Sequence, residues 1–576
     1  MYILGLNAYH ADSSAAIFKD GILIAATEEE RFRRIKHWAG FPSEAIKFCL
    51  KEAGINIEQV DHIAIGRDPK AKFWHKIGFL LRYPAVGWST VMSRIQNAQK
   101  VSSLEIEFAN VFPGVSVDSI RSKIHQVEHH RSHLASAFFA SPYEEAALLS
   151  IDGSGDFTTT MLGVGKGNDI TILDSIDFPH SIGVFYTAFT QLLGFPYYGD
   201  EYKVMGLAPY GNPTRVDELK DVLLFKSDGL FELDLSYFTA TKSGVVTYGE
   251  DHIPNVSALY SEKMAKRFGP VRKKEEPLTQ AHKDLAASVQ RITELLIFHL
   301  LDHLQRRTGL DKVCIAGGVA QNSVANGKIT RNTGFKSVYI PSAGHDAGIS
   351  MGAALYANNA LLKQPRQPAI WSAYTGSHSS NEEIEAYLKS RGIEYQRLDD
   401  DALFETVAER LTNAGVIGWY SGRAEFGPRA LGARSILADP RRLDAKELIN
   451  SKIKRRESFR PFAPSILEEY VSEYFELDEP VPFMERVFPI RAEKRAMIPA
   501  VTHADGSGRL QSVIKSVAPR YYRLIDTFRQ KTGVPILLNT SFNENEPIVN
   551  SPHDALECFL RTEMDMLVLE NCVITR

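Results

Sequence analysis

Twice in its N-terminal part the chain runs through one pattern: a short apolar stretch, a polar loop and a second β-prone stretch. Residues 2–6 (YILGL) lead into a loop carrying Asn7, His10, Asp12 and Ser14, and a further strand follows the Asp20-Gly21 turn. Residues 146–151 lead into Asp152-Gly153-Ser154-Gly155-Asp156 and then the β-prone run 158–164. A chain that repeats strand, polar turn and strand predicts an internal duplication. Amphipathic stretches between the apolar runs make the class α/β. A helix over 349–362 gives way to Lys363-Gln364-Pro365-Arg366-Gln367-Pro368, where two prolines cannot continue it. The expected domains are therefore 1–365 and 366–576. In the second, 416–420, 535–538 and 566–569 read as strands and 444–453 and 554–561 as helices. Two domains also suit 576 residues, more than one hydrophobic core usually organises.

Composition narrows the function class. A formal net charge of −4 gives no overall basic field, so nucleic acid is not an expected partner. The opening MYILGLNAYHAD lacks a basic n-region, which argues against export. The apolar stretch around 77–92 is broken by Arg82, Pro84 and Gly87, too short for a membrane helix. Cys49, Cys314, Cys558 and Cys572 show no C-x-x-C spacing, so neither a zinc ribbon nor a disulfide framework is signalled and a cytoplasmic location is expected.

In EHHRSHLASAFFAS, His129 and His133 stand four apart, which on a helix puts both imidazoles on one face. The pair alone also suits a surface or capping role. Asp152 at a strand end and Asp346 in SAGHDAG are loop-tip acids able to complete a shell for iron(II), with manganese or zinc as alternatives. Gly317 and Gly318 in IAGGVAQNSVAN follow a strand, as in a close nucleotide approach or a simple tight turn. His10 and Asp12 share the first loop, where an imidazole is the natural base for a hydroxyl. The segment EEERFRRIKHWAGFP with Lys36 and His37, and DEYKVMGLAPYG, are candidates to line a polar substrate site. The segment 73–92, with Trp74 and Trp88, reads as a core helix, with an acceptor-pocket wall or a homodimer contact as alternatives.

The second half is rich in guanidinium. SGRAEFGPRALGARS holds Arg423, Arg429 and Arg434 among glycines, a composition that suits oxyanions. IKRRESFRPFAPS adds Lys454 and Arg460, GSGRLQS adds Arg509, and LLNTSFNENEP supplies Asn539, Thr540 and Ser541 just beyond a strand. No Walker A sequence occurs, so an ATP site of another kind is expected.

Taken in order, EEERF with KHWAGFP, H-x-x-x-H, YKVMGLAPYG, AGGVAQN, EFGPRALGARS, FRPFAP and LLNTSFN closely resemble the carbamoyltransferase family that includes NodU and the tobramycin carbamoyltransferase, over nearly the whole chain. The resemblance implies an N-terminal domain of the actin and sugar-kinase superfold and a C-terminal YrdC-like domain. It implies that the C-terminal domain makes carbamoyladenylate from carbamoyl phosphate and ATP, with magnesium, and that the N-terminal domain passes the carbamoyl group to a hydroxyl of a small-molecule natural product. Carried over, Lys454, Arg460, Asn539 and Ser541 would hold carbamoyl phosphate, and Arg429, Arg434 and Arg509 would meet ATP phosphates. Iron would be held by His129, His133, Asp152 and Asp346, with His10 as base. Some members place histidine directly before the loop Asp; here Ala11 stands there and His10 lies two residues from Asp12.

Three rivals are weaker. A tRNA-modifying enzyme would call for a basic or stacking surface. An actin-like nucleotide switch leaves the arginines and the His/Asp set unexplained, and a metallopeptidase lacks the Glu of H-E-x-x-H.

Overall fold

The structure is a computed structural model that describes residues 1–83, 103–249, 251–477 and 479–576. These residues form two compact units, Met1–Ile370 and Trp371–Arg576. The segment around 366–370 belongs to the first: Arg366 donates to the carbonyls of Tyr143 and Phe138, and the Ile370 N–H donates to Ala140 O.

The first unit holds two five-stranded sheets with one topology. The first sheet runs Ile22–Glu28, Ser14–Lys19, Tyr2–Asn7, His62–Ile65 and Ile124–Gln126 across its width. The second runs Asp169–Asp177, Thr158–Lys166, Glu145–Gly155, Lys312–Ala316 and Ser337–Tyr339. In each, three antiparallel strands form a meander and two further strands add in parallel to its first member. This repeat is the internal duplication that the sequence predicts, and it explains why Tyr2–Asn7 is buried along nearly its whole length: a central strand covered on both faces needs no polar alternation.

Helix Ile349–Leu355 packs on strand Tyr2–Asn7 and on helix His129–Phe138. The approach is too close for a side chain at two points. A Cβ on Gly5 would stand 1.9 Å from Ser350 O, and one on Gly352 would stand 1.9 Å from Ser132 O. Ser14 Oγ donates to Ala347 O at 2.6 Å, which ties the helix entry to the first loop. Asp346, just before this helix, is thereby carried to the N-terminus of His129–Phe138.

The second unit is built on an eight-stranded mixed sheet, in the order Gln396–Arg397, Cys572–Thr575, Met566–Leu569, Ile417–Tyr420, Arg434–Ala438, Ile536–Ser541, Ala463–Leu467 and Gln511–Val513. Its core includes Phe404, Trp419, Leu524, Phe528 and Phe559 from the sheet and its helices. Among the described residues no helix is long and apolar enough to cross a membrane.

Several local expectations change. The helix at 349–362 is α only to Leu355 and π over Tyr356–Leu361; that at 444–453 is α over Ala445–Leu448 and π over Ile449–Ile453. Strand Glu145–Gly155 runs on through Asp152, and the turn falls at Asp156 and Phe157, both with positive φ. Strand Ile536–Ser541 includes Asn539 and Ser541, so its two-residue period sets them on one face. The core-helix reading of 73–92 fails where it is described: in Phe73–Arg82 only Phe79 is buried, while Trp74 is 77% exposed. Residues 84–92 of that segment lie outside the described residues.

Candidate functional site

In the first unit, Glu128 caps helix His129–Phe138, its carboxylate accepting from His130 N and Arg131 N. Helical spacing then sets the His129 and His133 rings 4.8 Å apart, edge to face. Asp152 Oδ2 lies 3.2 Å from His129 Nε2 and 3.6 Å from His133 Nε2; Asp346 Oδ1 lies 3.6 Å and 3.3 Å from the same two atoms. All four residues are buried, with one ligand atom of each within 4.8 Å of the others. His133 Nε2 and Asp346 Oδ1 have no hydrogen bond of proper geometry despite their burial. His130, between the pair, faces elsewhere, bonding Ser150 Oγ at 2.8 Å and Thr158 O at 2.9 Å.

The electrostatics are those of a site waiting for positive charge. Burial pushes the His133 imidazole down, but Asp152 and Asp346 override it and raise it to about 9. Burial lowers His129. Both carboxyls resist burial and are held below the usual range, Asp152 by the two ligand histidines and Asp346 by His10 and His133. Two buried carboxylates converging on two imidazoles form a donor set for iron(II), manganese or zinc, and the orphaned Nε2 and Oδ1 fit a bound cation.

The glycine pair supports this cluster. Gly318 N donates to Asp152 Oδ1 at 2.9 Å, and Gly317, at φ +102°, comes so close to the same strand that a Cβ would stand 2.2 Å from Ile151 O. Nearby, Asn7 Nδ2 holds the first loop by donating to Ala11 O and Asp12 O. His10 Nδ1 lies 2.7 Å from Asp346 Oδ2. Asp12 faces His37 Nδ1 at 2.8 Å, and the His37 N–H donates to Glu30. Burial lowers the His37 imidazole, but Asp12 raises it to about 9. The residue brought to Asp12 is thus His37; Lys36 is exposed. Tyr198 packs edge-on against His37, and Tyr248 stands 6.5 Å from the His10 ring.

The second unit gathers charge of the opposite sign. Burial, then the charges of Arg429, Arg456 and Arg460, disfavour the Arg509 cation; the residue is half-buried, and its buried Nε has no hydrogen-bond partner. Lys454 Nζ bonds Ser541 O, Asn543 O and Asn543 Oδ1, which joins two of the expected residues directly. Asn539 Nδ2 donates to Ala430 O, Ser465 Oγ and Gln511 Oε1, leaving its buried Oδ1 unpartnered. Arg460 stands 3.5 Å from Glu457. Arg434, expected to meet ATP phosphate, bonds within its own loop. It is wholly buried, stacked 3.5 Å from the Tyr420 ring, and donates to the carbonyls of Gly422, Ala433 and Ser377. Its buried Nε is left without a hydrogen-bond partner, and those bonds shape the loop. Glu425 does the same from the other side, its Oε1 accepting from Leu431 N, Ala433 N and Arg434 N.

Two family models cover most of the chain: "Carbamoyltransferase N-terminus" matches residues 2–355 and "Carbamoyltransferase C-terminus" residues 408–576. The chain belongs to the carbamoyltransferase family. The nodulation protein NolNO of Sinorhizobium fredii is 38% identical to this carbamoyltransferase, over 99% of this chain and 80% of its own. The uncharacterized protein sll1178 of Synechocystis is 42% identical, over 100% of this chain and 97% of its own. A solved structure, the HypF of T. kodakarensis, aligns over 63% of this chain and 48% of its own, with 16% identity and a TM-score of 0.31.

Sequence reasoning about this carbamoyltransferase passed over Tyr198, Tyr248 and Arg456. Arg456 sits inside a motif already singled out, next to Lys454-Arg455. The two tyrosines reach the site only through long-range packing, for which the local sequence carries no signal.

Proposed function

We propose that this carbamoyltransferase acts in two stages. In the C-terminal unit, which we take as YrdC-like, carbamoyl phosphate, water and ATP with magnesium become carbamoyladenylate, phosphate and pyrophosphate. In the N-terminal unit a hydroxyl of a small-molecule acceptor attacks the carbamoyl carbon, the carbamate ester forms, and AMP leaves. The observation that carries the reading is the gathering of Arg429, Arg456, Arg460 and Arg509, with a buried Arg509 Nε that has no hydrogen-bond partner. Oxyanions suit such a cluster, and two phosphate-bearing substrates supply them. Arg429, Arg456 and Arg509 would neutralise ATP phosphates, while Lys454, Arg460, Asn539 and Ser541 would hold carbamoyl phosphate.

In the N-terminal unit Asp346 Oδ2 stands 2.7 Å from His10 Nδ1 without a hydrogen bond of proper geometry, and His10 would be the base that takes the proton of the acceptor hydroxyl. Asp12, paired with His37, would orient the acceptor. His129, His133, Asp152 and Asp346 would hold iron(II) or another divalent ion, whose charge, when bound, stabilises oxygen of the adenylate. The Gly317–Gly318 backbone would border the nucleotide. The acceptor belongs to natural-product chemistry in this reading, with reaction in the cytoplasm and a homodimer as the assembly.

Wild-type protein given ATP, carbamoyl phosphate and magnesium without acceptor should release pyrophosphate and form carbamoyladenylate. Arg460→Ala should lower that rate about a hundredfold or more. ATP binding with no product from folded wild-type protein would favour a nucleotide switch instead.

A further inference from the structure

Gln511 has no part in the chemistry described so far, yet it stands in a buried chain of hydrogen bonds that ends on Asn539. The side chains of Ser465, Gln511 and Asn539 come from three neighbouring strands, and all three residues are buried. Gln511 Nε2 donates to Leu431 O at 2.7 Å, an oxygen that also accepts from the Tyr374 hydroxyl at 2.7 Å. A carbonyl only accepts, so the Gln511 NH2 group must lie on that side and its Oε1 on the other. Oε1 accepts from Ser465 Oγ at 2.7 Å and from Asn539 Nδ2 at 3.3 Å. Asn539 Nδ2 also donates to Ala430 O at 3.2 Å and to Ser465 Oγ at 3.0 Å, whose own proton is already given to Gln511. Turned over, the Asn539 amide would set Oδ1 against Ala430 O and Gln511 Oε1, two oxygens with no proton to offer. Its orientation is therefore fixed, with Nδ2 in the chain and Oδ1 outside it. Oδ1 is buried without a hydrogen-bond partner, and the Tyr521 hydroxyl, which faces Ser465 and the Asn539 amide, makes no bond of proper geometry to it.

Asn539 is joined to the oxyanion cluster through the backbone on both sides. Ala430, whose carbonyl takes Nδ2, directly follows Arg429, and Ser541, on the same face of the strand as Asn539, has its Oγ 3.2 Å from Lys454 Nζ. Guanidinium and ammonium groups are donors only, which suits phosphate oxygen and cannot serve an amine. Carbamoyl phosphate carries both: a phosphate, and an amine with two N–H donors. We infer that Gln511 is a positioning residue that holds the Asn539 amide with Oδ1 toward the carbamoyl amine, selecting carbamoyl phosphate over acyl phosphates that lack an N–H. The inference rests on the carbamoyl-activating reading of this unit and on the place of Asn539 in it. An unpaired buried acceptor is costly, so a ligand without the amine is rejected as long as the amide cannot turn and offer Nδ2 instead. Gln511 denies it that turn without touching the substrate.

Pyrophosphate release tests it, with carbamoyl phosphate as substrate and acetyl phosphate as competitor. In the wild type the inhibition constant for acetyl phosphate should exceed the KM for carbamoyl phosphate by about tenfold or more. Gln511→Leu frees the amide and should raise that KM by about the same factor, leaving the KM for ATP and the acetyl phosphate constant within about twofold of wild type. Gln511→Glu, which keeps an oxygen acceptor toward Nδ2, should recover part of the discrimination. Should Gln511→Leu fail to fold, Ser465→Ala reads the same property, since it removes another acceptor from Nδ2 and should narrow the discrimination. Discrimination that survives in a folded Gln511→Leu protein, or a fall in kcat with every constant unchanged, overturns the positioning role. An active wild type that does not discriminate overturns the inference and leaves carbamoyl activation standing. A wild type that releases no pyrophosphate in response to carbamoyl phosphate overturns the carbamoyl-activating reading, and this inference with it.

Discussion

The two units bury opposite charge problems. The first holds two carboxylates against two imidazoles, with a ligand nitrogen and oxygen left without hydrogen bonds. The second holds one guanidinium against three others. Both leave buried polar atoms without hydrogen bonds, His133 Nε2 and Asp346 Oδ1 in the first and Arg509 Nε in the second, which opposes folding. Under the proposed function the first would take a cation and the second oxyanions. The contrast also separates the chemistry, since groups that stabilise a phosphate-rich adduct during its synthesis differ from those that take a proton from a hydroxyl.

The sharpest way to break the contrast is to remove a donor from the first cluster. His133→Ala should lose its divalent ion, read as metal content per chain, and lower transfer to acceptor about a thousandfold; acceptor-independent pyrophosphate release should persist. Loss of both activities together in a folded protein would mean the clusters do not divide the work. A medium effect should come from the opposite cluster. Arg509→Met removes a cation from among three like charges, so the ligand-free protein should gain about 1 kcal/mol of stability while pyrophosphate release falls about a hundredfold. A destabilised variant would show that Arg509 is already paired in the free protein. The smallest effect concerns the His37–Asp12 pair, which lies apart from the cluster of His129, His133, Asp152 and Asp346. Its imidazole is raised to about 9, above an unfolded value near 6.5, so its stabilisation is complete below about 6.5 and lost as pH rises through about 9. With the ring 31% exposed, the loss should be roughly 1 kcal/mol. It should appear as a fall in the thermal midpoint between pH 6 and 10 that is absent in His37→Gln.

What could be read before the structure follows from distance along the chain. The His129/His133 face is fixed by helical period, and the repeated strand, turn and strand unit by local alternation, so both were visible in the sequence. Asp152 and Asp346 were visible only as acids at loop tips; their convergence depends on helix Ile349–Leu355 pressing onto Gly5, a contact across most of the unit. The arginine-rich loop announced oxyanions but could not say which guanidinium its own carbonyls would take. Arg434 was counted as a ligand for ATP phosphate, and its bonds to Gly422, Ala433 and Ser377 were not visible. Lys36 and His37 were both visible in one motif, whereas Asp12, the partner of His37, stands in a separate loop and their pairing was not.

The most direct test compares products from His133→Ala and Arg460→Ala, each given ATP, carbamoyl phosphate, magnesium and a hydroxylated acceptor that the wild type carbamoylates. Two-stage chemistry predicts that His133→Ala still releases pyrophosphate and accumulates carbamoyladenylate without carbamoylating the acceptor, whereas Arg460→Ala does neither. Carbamoylated acceptor from His133→Ala at the wild-type rate, or from Arg460→Ala without any adenylate, would contradict it.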